Sequence, residues 1–560
     1  MNPPEPQTDA SAPAPGPVAA VGAGPGDAGL LTLRGAQVLA EADVVFGLRE
    51  PGPEMAGHRE ALLAHCKEGA EFVPAEECGG GDADAEAVRR ALGGARVVRL
   101  YSGDPVFGCR ADLLAQACSA AGVEFELVPG LSSVTAVPAF AGVPMMPKGT
   151  AEVRVVNGKE EAVDWERLAA ELSGRDDASL AVMFPDAPEG DRSAGPGFDR
   201  LCKALVAGGH PGTTPVAVTR MGGTTEQTTV VSTLSRLVAD LKAFDAKGHH
   251  ATAPALFMMG PGVARQPELS WYESRPLFGW RVLVPRTKEQ AASLSEQLRD
   301  YGAVPEEVPT ISVEPPRTPQ QMERAVRGLV TGRYQWVAFT SVNAVKAVRE
   351  KFEEYGLDAR AFAGVKVAAV GEQTAARLRE FGIQPDLAPP PDRQSGAGLV
   401  EVWPPYDAEL DPIERVLLPR ADIATETLSS GLADLGWEVD DVTAYRTVRA
   451  APPPAPVREA IKGGAFDAVL FTSSSTVRNL VGIAGKPHNT TVIAVIGPET
   501  AKTAEEYGLR VDVVAPKTSV SALAEALSEY GAKQRAEALE AGKPALKPSQ
   551  KRRGRRRKTL

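Results

Sequence analysis

The stretch VLVPRTKEQAASLSEQL, beginning at Val282, returns as VLLPRADIATETLSSGL, beginning at Val416. Two further pairs follow in the same order. FTSVNAV from Phe339 matches FTSSSTV from Phe471, and AAVGEQTA from Ala368 matches AVIGPETA from Ala494. Each segment is a short apolar, β-branched run that ends in Gly, Thr, Ser or Pro-Arg and passes into an alanine-rich stretch with helical spacing. A buried parallel strand feeding a helix reads this way. The C-terminal half is therefore expected to hold two similar α/β domains.

In open parallel sheets, ligands sit at the carboxyl ends of the strands, where helix N-termini offer free N–H groups to anions. The repeat places its polar residues there. Thr340, Ser341 and Asn343 answer to Thr472, Ser473 and Ser474, while Gly371 and Thr374 answer to Gly497 and Thr500. Taken singly, such hydroxyls cap helices. As two matching sets on linked domains they point to a cleft for a polyanionic ligand.

With these motifs in hand, the span from about Pro276 to Gly531 resembles the uroporphyrinogen-III synthases. The Pro-Arg after the first strand, the FTS motif, the VGxxTA motif and a tyrosine in the run Val442-Thr443-Ala444-Tyr445-Arg446-Thr447 carry the likeness. The resemblance implies two flavodoxin-like α/β domains joined by a two-stranded ladder. One would comprise about 279–312 with 449–530 and the other 313–448. It also implies closure of the linear hydroxymethylbilane into uroporphyrinogen III, with inversion of the last ring through a spiro intermediate, and without cofactor or metal. Such chemistry asks the protein to hold a flexible polycarboxylate in one geometry and to assist a departing hydroxyl. Arg286, Arg420 and the paired Thr, Ser, Asn and Gly positions would bind substrate, and Tyr445 would be the catalytic proton donor. A buried tyrosine with a satisfied hydroxyl is the alternative for Tyr445.

The N-terminal half carries a second set of signals. VAAVGAGPGDAGLLTL, from Val18, reads as a strand, a glycine turn and the start of a helix. Asp27 stands where a dinucleotide fingerprint needs its third glycine. Further on come VVRLYSGDPVFG from Val97, ELVPGLSSVTAVPAFAGVP from Glu126, GTTPVAVTRMGGTTEQTTVVSTL from Gly212 and PALFMMG from Pro254. Together they resemble the tetrapyrrole methylases over about 18–264, most closely uroporphyrinogen-III C-methyltransferase. Two α/β subdomains, about 18–147 and 151–264, are implied. The resemblance places Pro25, Ser102, Gly103, Asp104, Ser132, Ser133 and Ala217 around S-adenosylmethionine, and allows a homodimer through this half. Departures fall in the loops. Phe46-Gly47 replaces a Tyr-Asp pair, Ser102-Gly103 replaces two glycines before Asp104, Met145 to Lys148 replace Leu-Thr-His-Arg, and Val182-Met183-Phe184-Pro185-Asp186 replaces a strand ending Tyr-Met-Gly. Synthase and methylase make a coherent pair, since the product of one is the substrate of the other on the way to sirohaem and corrinoids. A synthase with a degenerate methylase domain, and an anion-binding module without turnover, stay open at this level.

Bulk properties agree with a cytoplasmic multidomain enzyme. The 560 residues suggest about four domains, and 43% apolar composition gives material for several cores. No apolar run approaches a membrane span. The first seventeen residues, rich in Pro and Ala, read as a disordered leader. Linkers are expected at 186–197, 260–276, 388–395 and 452–456. Five cysteines (Cys66, Cys78, Cys109, Cys118 and Cys202) show no CxxC spacing, and the six histidines, His249 and His250 among them, show no ligand spacing with them. Metal sites are not expected. Net charge is −11, yet the last eighteen residues hold nine Lys or Arg and no acid, so 532–560 reads as a disordered basic tail. The acidity of the rest argues against nucleic acid as a partner, and it would repel a polycarboxylate tetrapyrrole at long range, so binding of such small molecules must rely on local donors or on screening by salt.

Overall fold

In the computed structural model the described residues are 14–47, 56–74, 83–158, 163–184, 196–245, 254–286, 288–423 and 426–554. The leader before residue 14, Leu48, Cys78, Pro185, Asp186 with nearly all of the 186–197 linker, His249, His250 and the last six residues lie outside them. The chain is α/β throughout and forms two compact units. One runs through Trp280 and adds residues 299–304 and 531–535, and the other takes the remainder.

The first unit contains two five-stranded sheets. In the first, Val18–Gly22 lies between Val97–Tyr101 and Phe125–Val128, with Val44–Phe46 and Glu71–Val73 beyond, all parallel. VAAVG is buried along its whole length, as a central parallel strand covered on both faces must be. Where that strand ends, three backbone turns converge. A Cβ on Gly130 would stand 2.2 Å from the Gly103 carbonyl oxygen and 2.7 Å from Gly22 Cα. Only glycine permits that approach. The second sheet is mixed. Glu152–Asn157 pairs parallel with Ala178–Phe184, and Ala255–Met259 runs antiparallel between Ala178–Phe184 and Pro215–Arg220, with Thr228–Thr233 at the edge.

The second unit also holds two five-stranded sheets, and they exchange the halves of the repeat. In one, Arg281–Val284 neighbours Ala468–Phe471 and then Val492–Val495, so a first-copy strand lies beside two second-copy strands. In the other, Arg415–Ala421 neighbours Trp336–Phe339 and then Lys366–Ala369, the reverse exchange. The crossing is made by the long strand Glu438–Arg449. Its first part pairs parallel with Arg415–Ala421 and its last part pairs antiparallel with Ile311–Glu314. The outer strands of the first sheet are Val304–Glu307 and Val511–Val514.

The C-terminus departs from expectation. Helix Val520–Glu540 runs through the residues read as the start of a disordered tail, and Pro548–Gly554 forms a 3-10 helix. The run AKQRAEALE consists mainly of strong helix formers, so local propensity carries the helix onward. The Ser549 N–H then donates to buried Asp467 at 2.8 Å, which ties the segment to the sheet. Among the described residues no helix is long and apolar enough to cross a membrane.

Candidate functional site

In the first unit a cavity of about 380 Å³ opens beside the converging glycine turns. Gly24 and Gly103, both at positive φ, bond to each other: Gly103 N–H donates to the Gly24 carbonyl at 2.9 Å and the reverse bond is 3.2 Å. Asp104 locks the next turn. Its carboxylate accepts from the N–H groups of Val106 (2.9 Å), Phe107 (2.8 Å) and Gly130 (3.1 Å). The wall carries Pro25, Ser102, Ser133, Met183, Thr219 and Met221, and also His58, Arg59, Arg99 and Tyr101. Met221 holds φ at 49°, unusual for a residue with a side chain, which marks a backbone constrained by its surroundings. Burial lowers the pKa of the His58 imidazole and raises that of the Cys109 thiol.

In the second unit a larger cleft, about 1600 Å³, lies at the carboxyl ends of the sheet containing Trp336–Phe339. Ser341 caps helix Val342–Glu354, accepting from the Ala344 N–H at 3.2 Å. Its hydroxyl also lies 3.0 Å from the Tyr445 hydroxyl. Tyr445 comes from the long crossing strand and is 8% exposed, with its ring in the hydrophobic core. Gly371 begins helix Glu372–Glu380, and Lys346, Arg349 and Arg377 reach the cleft from these two helices. Arg286 lines it from the other sheet, and burial pushes its guanidinium below the usual value. Arg349 and Arg377 pair with Glu353 and Glu380, so the cleft offers hydroxyls, helix N-termini, Arg286 and Lys346 to an anion. Among the described residues no group of three or more His, Cys, Asp or Glu could hold a metal ion.

Comparison with known proteins bears on both halves. Residues 17–238 match the family model described as Tetrapyrrole (Corrin/Porphyrin) Methylases, and residues 292–525 match that of Uroporphyrinogen-III synthase HemD. A porphyrin biosynthesis protein HemD of Ruminiclostridium josui is 29% identical over 92% of this chain and 98% of its own length. A uroporphyrinogen-III C-methyltransferase of Bacillus subtilis is 31% identical over 65% of this chain and 73% of its own. The chain belongs to both families. A solved uroporphyrin-III C-methyltransferase of Thermus thermophilus, complexed with S-adenosylhomocysteine, is 26% identical and covers 44% of this chain and 99% of that one, with a TM-score of 0.33.

This methylase–synthase fusion brings some of the expected residues together and not others. Of the methylase set, Pro25, Ser102 and Ser133 line the cavity. Gly103 and Asp104 shape its turns from behind, Ala217 is fully buried in its strand, and the Ser132 carbonyl accepts from Thr135 at the start of the helix Ser133–Ala141. Of the synthase set, Arg286, Thr340, Ser341, Asn343, Gly371, Thr374 and Tyr445 line the cleft. The matching set from the other sheet does not. Ser473 and Thr476 form a capping box, Ser474 bonds to Thr503 and the Glu499 carbonyl, and Thr500 is buried, while Thr472 and Gly497 stand at the same turns. Arg420 is paired with Asp441, 2.7 Å from Nε to Oδ1. One copy of the motifs thus lines this cleft, and both copies cap their helices, Ser341 and Ser473 alike. Lys346, Arg349 and Arg377 escaped the sequence reading. The spacing of Lys346 and Arg349, three residues apart after the FTS motif, is the signal that could have found two of them.

Proposed function

We propose that the synthase half closes hydroxymethylbilane to uroporphyrinogen III and that the methylase half then methylates that product with S-adenosylmethionine. The observation that supports the first reaction is the Ser341–Tyr445 hydroxyl pair inside a cleft built by the family's own motifs, with Arg286 and Lys346 on its wall among charges of both signs. Arg286 and Lys346 hold carboxylates of a flexible chain, which fixes its curl before reaction. Tyr445 donates its proton to the terminal hydroxyl as the C–O bond breaks, and water leaves. Electrons from the pyrrole drive that departure. The methylene carbon freed of its hydroxyl bonds to the substituted carbon of the last ring, giving the spiro centre; the older C–C bond at that centre breaks, and the released methylene carbon bonds to the ring's unsubstituted carbon, whose proton returns to the Tyr445 phenolate that Ser341 supports.

For the second reaction, the glycine-lined turns with the Asp104 clamp allow close backbone approach to an adenosyl ligand, and Ser102 and Ser133 supply polar contacts. When bound, S-adenosylmethionine provides an electrophilic methyl group. Pro25, Met183 and Met221 exclude water and align the electron-rich pyrrole carbon. A homodimer through this half and a cytoplasmic setting belong to the same reading. Product analysis tests it. Freshly made hydroxymethylbilane should give the type III isomer without additions and methylated tetrapyrrole once S-adenosylmethionine is supplied. Type I isomer alone, from folded protein, rejects the synthase role.

A further inference from the structure

The family's Tyr-Asp pair after the second strand is missing here, and the structure fills its place in a particular way. Gly47 follows strand Val44–Phe46, and a Cβ at that position would lie 2.3 Å from Cζ of Phe72. The Phe72 ring thus occupies the space an acidic side chain would need, and it forms part of the cavity wall. In the same wall, Arg99 donates from Nη1 to the Gly47 carbonyl at 2.6 Å and stacks over the Tyr101 ring at 5.3 Å. Its side chain is 17% exposed, and its Nε is buried without a hydrogen-bond partner, 3.7 Å from Asp84 Oδ1. Arg59 lies 5.6 Å over the Phe72 ring, and the neighbouring His58 keeps a buried Nδ1 that has no partner. Asp84 and Asp27 are the acids near this wall. Two guanidinium groups therefore face a small, partly apolar cavity that also contains the methylase turns.

Arg99 and Arg59 both border the cavity, and arginine is suited to carboxylates because its planar fork matches theirs. We propose that Arg99 and Arg59 form a carboxylate subsite in the methylase cavity that takes an acidic side chain of the tetrapyrrole substrate. This rests on the methylase reading above. The wall carries two cations beside the Phe72 ring, so it recognises the rim of the macrocycle through its carboxylates. The amino-acid carboxylate of S-adenosylmethionine shares that chemistry, and the experiment separates the two sources.

In the full-length protein, Arg99→Gln and Arg59→Gln are each expected to raise KM for uroporphyrinogen III about tenfold, with kcat within about threefold and the calorimetric Kd for S-adenosylmethionine within about twofold. Arg99→Lys should recover part of the loss, since charge is kept but the fork is not. Unchanged KM in both glutamine variants of an active enzyme overturns the subsite alone. A weakened cofactor Kd with normal tetrapyrrole KM assigns the carboxylate to the cofactor and overturns it too. A wild-type protein that neither binds S-adenosylmethionine nor methylates removes the methylase reading itself, and the subsite with it. Because Arg99 also holds the Gly47 turn, thermal melts accompany the kinetics, and Arg59→Gln decides the matter if Arg99→Gln fails to fold.

Discussion

At the scale of single residues, Tyr445 serves packing and chemistry at once. Its ring belongs to the core beside Val442 and Ala444, whereas its hydroxyl reaches the cleft and Ser341. Tyr445→Phe keeps the ring and removes only the proton. We expect kcat to fall about tenfold to a hundredfold with KM changing less than about twofold, while stability moves by roughly 1 kcal/mol or less. Initial rates and thermal melts check both parts, and an unchanged kcat would return the tyrosine to a purely structural role. Asp104 shows the converse division. Three backbone N–H groups share its carboxylate, so Asp104→Ala should cost about 1–3 kcal/mol of stability as those donors lose their acceptor, and should weaken S-adenosylmethionine binding only by loosening the turn. Calorimetry on a variant held well below its melting point separates the two effects.

At the scale of elements, two contacts set testable limits. The Gly22, Gly103 and Gly130 turns touch without side chains between them. Gly130→Ala would push a methyl into the Gly103 carbonyl, and overpacking of about 1–3 kcal/mol or more is expected, with a lower melting temperature for the first unit. Asp467 governs the C-terminal segment. Its carboxylate accepts from Arg281 and Ser549, both at 2.8 Å, yet burial outweighs these bonds and holds its pKa above the ordinary value. A folded carboxyl that keeps its proton more firmly than the unfolded chain stabilises the fold in acid. That contribution fades as pH rises from about 4 through the raised folded value. Relative to Asp467→Asn, the wild type should therefore lose stability across that window, measured by urea unfolding at several pH values. Equal pH profiles for the two proteins would show that this carboxyl does not titrate as described.

At the scale of the whole molecule, the order of reactions becomes visible in product analysis. Formation of the type III isomer should be independent of S-adenosylmethionine. Truncation distinguishes the parts of the C-terminus. Removing residues 543–560 takes away the Ser549 anchor and should lower the melting temperature of the second unit, whereas removing 555–560 alone should leave that anchor, and the melting temperature, in place.

The amino-acid sequence on its own carried the class of the fold, since buried strands in parallel sheets must be apolar on both faces and their helices must show a 3.6-residue period. It also carried the family motifs and the tyrosine. Tertiary structure decided how the repeat is used. Matching motifs look equal in sequence, yet the crossing strand Glu438–Arg449 brings Tyr445 to one FTS turn, and the other turn closes its hydroxyls into caps. The same holds in the methylase half. Arg59, Arg99 and Phe72 are far apart along the chain, and nothing local marks them. Only the packing of a helix and two strands places them in one wall, because side-chain proximity depends on register and burial that no short stretch of sequence encodes.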